Sequence, residues 1–248
     1  GRIVHTGTPI RPELLAGDGS KGRRALALED KKILLITGGS LGADRLNQVV
    51  RAALPVLLRD YAVVHICGAG KISGAAQSGY LEFEYISEGW GDLLSAADVV
   101  ISRAGANALF ELLSLAKLNL LVPLSAKASR GDQIANADYA QSQGYSEVLP
   151  ESVLTAQSLC EALSVLEENQ ARYLARLTEF QRLPTIDLLV DEIEALTCFL
   201  YMAQAAFLTT QRPAPNVAAP RNTPVLFMYK IKTYNAIAPI GLERFPAD

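Results

Sequence analysis

Between residues 31 and 150 the chain alternates short, nearly uninterrupted runs of Val, Ile and Leu with longer stretches of helical period. This alternation restricts the fold more than any other feature of the sequence. The β-prone runs are Ile33–Thr37, Val63–Cys67, Leu81–Ile86, Val99–Ser102, Leu118–Val122 and Ser146–Leu149. After the first run, Leu46, Val49, Val50, Ala53, Leu54 and Leu57 recur every three or four residues, which makes one apolar helical stripe. Shorter helices are predicted over Leu93–Ala97 and Asn107–Ala116, and another over Asp132–Gln143, with Gly144 placed to end it. Strands bridged by helices pair in parallel through right-handed crossovers. Runs that are apolar on both faces belong to a sheet covered on both sides. Residues 31–150 therefore predict an α/β fold, a Rossmann-like doubly wound parallel sheet. Two helical segments follow, over about 155–180 and 185–203, divided at Pro184.

The flanks differ from this middle. Residues 1–30 are mixed and polar and read as a lead-in, interdomain segment. The main domain is expected over 31–198. Residues 199–248 form an atypical Pro-rich tail, with Pro213, Pro215, Pro220 and Pro224 spaced as in a linker. Gly1 opens the chain with neither a methionine nor a charged-then-apolar leader, so no secretory signal is expected and sequence upstream is expected to have been removed.

Composition removes several classes of function. A formal net charge of −3 gives no basic surplus for nucleic acid. Cys67, Cys160 and Cys198 are scattered without a CxxC pair, and His5 and His65 stand far apart, so neither a metal site nor a disulfide framework is expected. That usage fits a reducing, cytoplasmic setting. No apolar run reaches the roughly 18 residues of a membrane-spanning helix.

Ligands of parallel α/β sheets sit outside the C-terminal ends of the strands, and three loops there carry suggestive chemistry. The first is Gly38-Gly39-Ser40-Leu41-Gly42, which turns strand one into its helix. Glycines admit a tight turn and close approach to an anion, and a helix N-terminus offers free N–H groups and partial positive charge. A plain βα turn without a ligand is the alternative. The dinucleotide fingerprint fails here, because Ser40 and Ala43 break the glycine spacing and Gly68 stands where an acidic residue should follow strand two. No Gly-Lys-Ser/Thr follows, so this is not a Walker loop either. The second loop is Ser102-Arg103-Ala104-Gly105-Ala106-Asn107, with Glu111 about one turn into the next helix. That carboxylate can accept the hydroxyls of a ribose, or it can merely complement the helix dipole. The third is Ser129-Arg130-Gly131-Asp132-Gln133, leading to Asn136. Asp132 is a candidate N-cap, and Asp132 and Gln133 also suit sugar hydroxyls. Trp90, between Gly89 and Gly91, reads as a partly buried anchor, and His65 as a buried strand residue. No Ser–His–Asp set and no pair of catalytic carboxylates is legible.

Taken in order, the segments GGSLGADRLN (38–47), FEYI (83–86), ADVVISRAGANALFELL (97–113) and LLVPLSAKASRGDQIANA (120–137) resemble the C-terminal domain of the MurG family. The resemblance is to the Gram-positive, Firmicutes type, and it runs from Thr6-Gly7-Thr8-Pro9-Ile10-Arg11 to about Leu196. It implies the C-terminal half of a GT-B glycosyltransferase, which binds UDP-N-acetylglucosamine while an N-terminal domain takes a lipid-linked acceptor at the cytoplasmic face of the membrane. The implied reaction is inverting transfer of N-acetylglucosamine to the lipid-linked muramyl-pentapeptide precursor of peptidoglycan, without a metal or other cofactor. The implied phosphate turn falls on Gly38, Gly39, Ser40 and Gly42, and the residue whose backbone reads uracil on Ile86. The implied ribose ligand is Glu111, with Gly105 and Ala106 beside the diphosphate. Asp132 and Gln133 fall where the family holds the sugar with paired glutamines, so the first position departs from the pattern. Asn136 shares their helix face, and Arg11 reaches the nucleotide from the lead-in segment. No catalytic residue is assigned, since the resemblance implies a general base on the N-terminal domain. This chain alone is expected to bind donor without transferring it. The alternative is a non-catalytic UDP-sugar-binding subunit that needs a separate acceptor-domain chain.

Overall fold

The computed structural model describes residue 4 and residues 6–27, 31–39, 43–74, 77–125 and 131–195. The chain divides into two compact units, Gly1–Ile186 and Asp187–Asp248. Of the second, residues 187–195 are described and are helical. The expected tail over 199–248 lies outside the described residues.

The first unit is built on one six-stranded sheet: β1 (Lys32–Thr37), β2 (Tyr61–Ile66), β3 (Tyr80–Phe83), β4 (Val99–Ser102), β5 (Asn119–Leu121) and β6 (Glu147–Val148). Its order is β3-β2-β1-β4-β5-β6, and each neighbouring pair is parallel. The direction of winding reverses between β1 and β4, where such sheets open a crevice. The helices between strands are α3 (Asp44–Asp60), α4 (Trp90–Ala96), α5 (Ala106–Ser114) and α6 (Asp132–Ser142), followed by α7 (Ala156–Glu168) and α8 (Gln170–Thr178).

Alternate strand residues divide the core as the pleat requires. On one face Leu34, Ile36, Val63, Val99, Ile101 and Leu120 meet Leu46, Val50 and Leu54 of α3 and Leu159, Leu163 and Leu166 of α7. On the other Ile33, Leu35, Val64, Val100 and Leu121 meet Leu93 and Leu94 of α4, Leu109, Leu112 and Leu113 of α5, and Ala137 and Ala140 of α6. Each fully buried aliphatic side chain contributes roughly 1.5–3 kcal/mol, so continuous Val/Ile/Leu strands are stable only with both faces covered. The α3 stripe expected from Leu46, Val49, Val50, Ala53, Leu54 and Leu57 is buried throughout.

Two local differences from expectation affect the site. Strand β3 stops at Phe83, so Ile86 lies in the following loop rather than in the strand. The lead-in segment is also more structured than its polarity suggests. It forms α1 (Pro12–Leu15) and α2 (Gly19–Leu26), which pack on α4. Asp18 caps α2 by accepting from the N–H groups of Ser20 and Lys21, and its own N–H donates to Asp92 at 2.9 Å. The close approach depends on glycine. A Cβ at Gly22 would lie 2.3 Å from the Asp92 carbonyl oxygen, and one at Gly17 2.2 Å from that of Gly91.

Candidate functional site

A cleft of about 670 Å³ opens at the C-terminal ends of the strands, within the size range of small-ligand sites. Four loops form its walls. After β1, Gly38 and Gly39 turn the chain toward α3. Gly39 holds φ 81°, which glycine adopts without strain, and nothing stands within 4 Å of where its Cβ would be. Ser40 and Gly42 lie outside the described residues. Helix α3 begins after Ala43 without a side-chain cap, which leaves its first N–H groups without that partner.

After β4, Ser102, Arg103 and Gly105 line the cleft, together with Asn107, Ala108 and Glu111 of α5. Gly105 precedes α5, which also has no side-chain cap, and a Cβ at Gly105 would meet nothing within 4 Å. The side chain of Glu111 is 17% exposed, with Arg11 Nη2 at 3.4 Å from its Oε1. Burial raises its carboxyl pKa, while Arg11 and a hydrogen bond from the Trp90 indole act in the opposite sense. After β3, Glu84, Tyr85, Ile86 and Ser87 complete one side of the cleft, with Trp90 at the start of α4. Tyr85 is 72% exposed.

After β5, Leu124 lines the cleft with Gln133 of α6. The Leu124 N–H donates to Gln133 Oε1 at 3.1 Å, which leaves the Gln133 amide NH2 as a donor for a ligand. Asn136 instead spends its Nδ2 donor on the Ala104 carbonyl at 2.9 Å, tying α6 to the β4–α5 turn.

The structure thus gathers Arg11, Gly38, Gly39, Ile86, Gly105, Glu111 and Gln133 around one cleft. Ala106, Asp132 and Asn136 are not among its lining residues. Asp132 is not the N-cap of α6. Gly131 holds that position with φ 85°, and Asp132 is the first helical residue, exposed to solvent. The left-handed backbone at 131 suits glycine, so capping passes to the residue that can adopt it.

Thr37, Ile66, Ser102, Arg103 and Leu124 also line the cleft. Ser102 and Arg103 belong to the second loop read from the sequence, whereas for Thr37, Ile66 and Leu124 strand-end position was the only sequence signal. Trp90 combines two roles, packing against the core while also lining the cleft.

A separate polar cluster joins β2, β3 and α3. His65 is fully buried between Tyr80 Oη at 2.9 Å and Asn47 Oδ1 at 3.0 Å. Burial lowers its pKa to about 4, so the ring is neutral at pH 7. Ligand atoms of His65, Cys67 and Glu82 lie within 4.8 Å of one another. Arg51 Nη2 pairs with Glu82 at 2.8 Å and also reaches Cys67 Sγ at 3.5 Å. Burial opposes ionisation of Glu82, but hydrogen bonds from Tyr80, Ser73 and Arg51 outweigh it and hold the carboxyl at about 2. A guanidinium among the ligand atoms and hydrogen bonds on each of them favour a self-satisfied network over a cation centre. The parallel register, which sets His65 beside Glu82, explains a proximity that sequence spacing hid.

Among the described residues no helix is long and apolar enough to cross a membrane.

The model of the glycosyltransferase family 28 C-terminal domain matches residues 33–188. The chain is 49% identical over 172 residues to the UDP-N-acetylglucosamine--N-acetylmuramyl-(pentapeptide) pyrophosphoryl-undecaprenol N-acetylglucosamine transferase of Clostridium perfringens, a match covering 68% of this chain and 48% of the relative. It is 50% identical over 175 residues to the enzyme of the same name from Geobacillus kaustophilus, covering 69% and 49% respectively. The chain thus spans about half the length of the curated relatives it matches. Among solved structures, MurG of Acinetobacter baumannii aligns with a TM-score of 0.60 at 24% identity, covering 76% of this chain and 57% of that one. The calicheamicin glycosyltransferase CalG4 aligns with a TM-score of 0.55 at 19% identity, covering 68% and 43%.

Proposed function

We propose, for a chain that belongs to the glycosyltransferase family 28 C-terminal domain family, that the cleft between β1 and β4 binds a UDP-sugar, with UDP-N-acetylglucosamine as the donor. The observation that carries this is the convergence on one 670 Å³ cleft of an open glycine turn, a shielded carboxylate and an amide donor. The Gly38–Gly39 turn and the uncapped start of α5 suit a diphosphate, because both offer N–H groups without a side chain in the way. Glu111 suits a ribose diol, and the Gln133 NH2 a sugar hydroxyl. Ile86 suits the base through its backbone, with Tyr85 beside it. Arg11 borders the same cleft. Ser40 and Gly42 follow Gly38 and Gly39 in the sequence, Ala106 opens α5, and Asp132 and Asn136 lie on the helix that carries Gln133.

In the whole enzyme such a site holds the departing UDP and orients the anomeric carbon. N–H groups aimed at the diphosphate stabilise charge as the glycosidic bond breaks, and a fixed sugar avoids the entropic cost of bringing two reactants together. The acceptor is the lipid-linked muramyl-pentapeptide, met at the cytoplasmic face of the membrane, and the product serves peptidoglycan synthesis. Residues 31–198 form the donor domain, preceded by an interdomain segment over 1–30 and followed by a distinct tail over 199–248.

Isothermal titration with UDP and with UDP-N-acetylglucosamine tests the reading. Saturable heat in the micromolar range is expected for both. A folded sample that gives no heat at millimolar ligand overturns it.

A further inference from the structure

Arg103 is a buried cation in the wall of the cleft, 5% exposed. Its Nη1 donates to the Val122 carbonyl at 3.0 Å, and its Nη2 donates to Glu151 Oε1 at 2.5 Å. Glu151 opens the 3-10 turn Glu151–Val153 after β6, and its side chain is 17% exposed. Its second oxygen accepts the Ser125 N–H at 3.5 Å. Val122 and Ser125 therefore bracket the exit from β5. Between them stands Leu124, whose N–H donates to Gln133. On the other side of Arg103, the carbonyl of Ala104 receives Asn136.

A largely buried Arg–Glu pair is weak evidence for stability, because desolvating two charges offsets most of their attraction. Its geometric effect is specific. One guanidinium joins the ends of three strands, β4 through its own backbone, β5 through Val122, and β6 through Glu151. We infer that Arg103 and Glu151 are positioning residues, which fix the height of the Leu124–Ser125 segment and thereby the orientation of the Gln133 amide toward the sugar. This rests on the reading of the cleft as a UDP-sugar site. The pair acts on the sugar end of the ligand, so it governs discrimination between UDP-sugar and UDP rather than nucleotide affinity.

The test compares UDP and UDP-N-acetylglucosamine by titration calorimetry on the wild type, Arg103→Lys, Glu151→Gln and the double variant, with the thermal midpoint of each. Glu151→Gln keeps side-chain volume and an acceptor, so the outcome is read on it if Arg103→Lys fails to fold. Each single variant is expected to lose about tenfold in UDP-N-acetylglucosamine affinity, the scale of one misplaced hydrogen bond. For Glu151→Gln, whose side chain is not among the residues that line the cleft, UDP affinity is expected to stay within about twofold, and the double variant is expected to be no worse than either single one in UDP-N-acetylglucosamine affinity, as for two residues acting as a unit. Equal loss for both ligands, an unchanged ratio, or additive losses overturns the inference while leaving the cleft reading intact. A wild type that binds neither ligand overturns both.

Discussion

Replacing Glu111 by alanine separates the two roles that the sequence left open to this carboxylate, which stands beyond the first turn of α5. If Glu111 only complements the dipole of α5, its removal costs stability and leaves the cleft unchanged. The observed setting favours the other role, since burial raises its pKa and the protein therefore gains little by holding it ionised. Glu111→Ala is expected to weaken UDP by about ten- to hundredfold, the scale of hydrogen bonds to a charged acceptor, with the unfolding midpoint nearly unchanged. A fall in midpoint with unaltered UDP affinity contradicts this. The sign of the pH dependence follows. The carboxylate is the form that accepts two hydroxyls, and its pKa lies above the usual carboxylate value, so UDP affinity falls with decreasing pH from a higher pH than for an ordinary glutamate. Glu111→Gln, titrated in parallel, is expected to lack that step. Glu111 was legible from sequence because its spacing from Gly105 places it one turn inside a helix at a strand end. Asp132 was misassigned as a cap because cap preference describes side chains, whereas the backbone at 131 is left-handed and selects glycine. Arg103 was visible only as part of a loop, since its partner Glu151 lies 48 residues away.

The elements show a parallel division between what pattern reveals and what contact decides. The strands of the sheet were readable because a sheet covered on both faces needs continuous apolar runs. Helix α3 was readable because its stripe is long and regular. Helix α2 was not, since in GSKGRRAL Leu26 is the one large apolar residue and Gly22 the one buried residue. Its attachment comes instead from backbone approach to α4 and from polar ties, including Lys21 to Asp92 at 2.8 Å and Arg23 to Asp98 at 2.9 Å. Exposed pairs of this kind contribute at most about 1 kcal/mol each, so the approach allowed by glycine has to supply much of the docking. Gly22→Ala is therefore expected to lower stability by about 1–3 kcal/mol, as overpacking does, although alanine is the better helix former. Denaturant unfolding measures the loss. Hydrogen exchange is expected to rise first in residues 12–26. An unchanged or stabilised Gly22→Ala would mean that α2 rides on α4 without close contact.

Across the whole molecule, the switch between β1 and β4 makes a ligand touch loops from both halves of the sheet at once. The loops after β1 and β3 belong to one half, and those after β4 and β5 to the other. Each half also has its own helices, so a diphosphate held at the switch point joins turns that the backbone leaves separate. Binding only the folded state stabilises it by mass action, about 2.7 kcal/mol when ligand is at a hundred times its dissociation constant. The distribution of that protection carries more information than its size. With saturating UDP, amide exchange is expected to slow in the Gly38–Gly39 turn, the Glu84–Trp90 loop, and the first turn of α5. It should stay unchanged across the α3–α7 face, where Val56 and Val165 are exposed on the far side of the sheet. With UDP-N-acetylglucosamine, the proposed placement of the sugar toward Gln133 predicts that protection extends to Leu124 and the start of α6. Mass spectrometry of exchanged peptides resolves these segments. Slowing confined to one half of the sheet, or the same pattern for both ligands, would contradict a donor laid across the switch point with its sugar against α6.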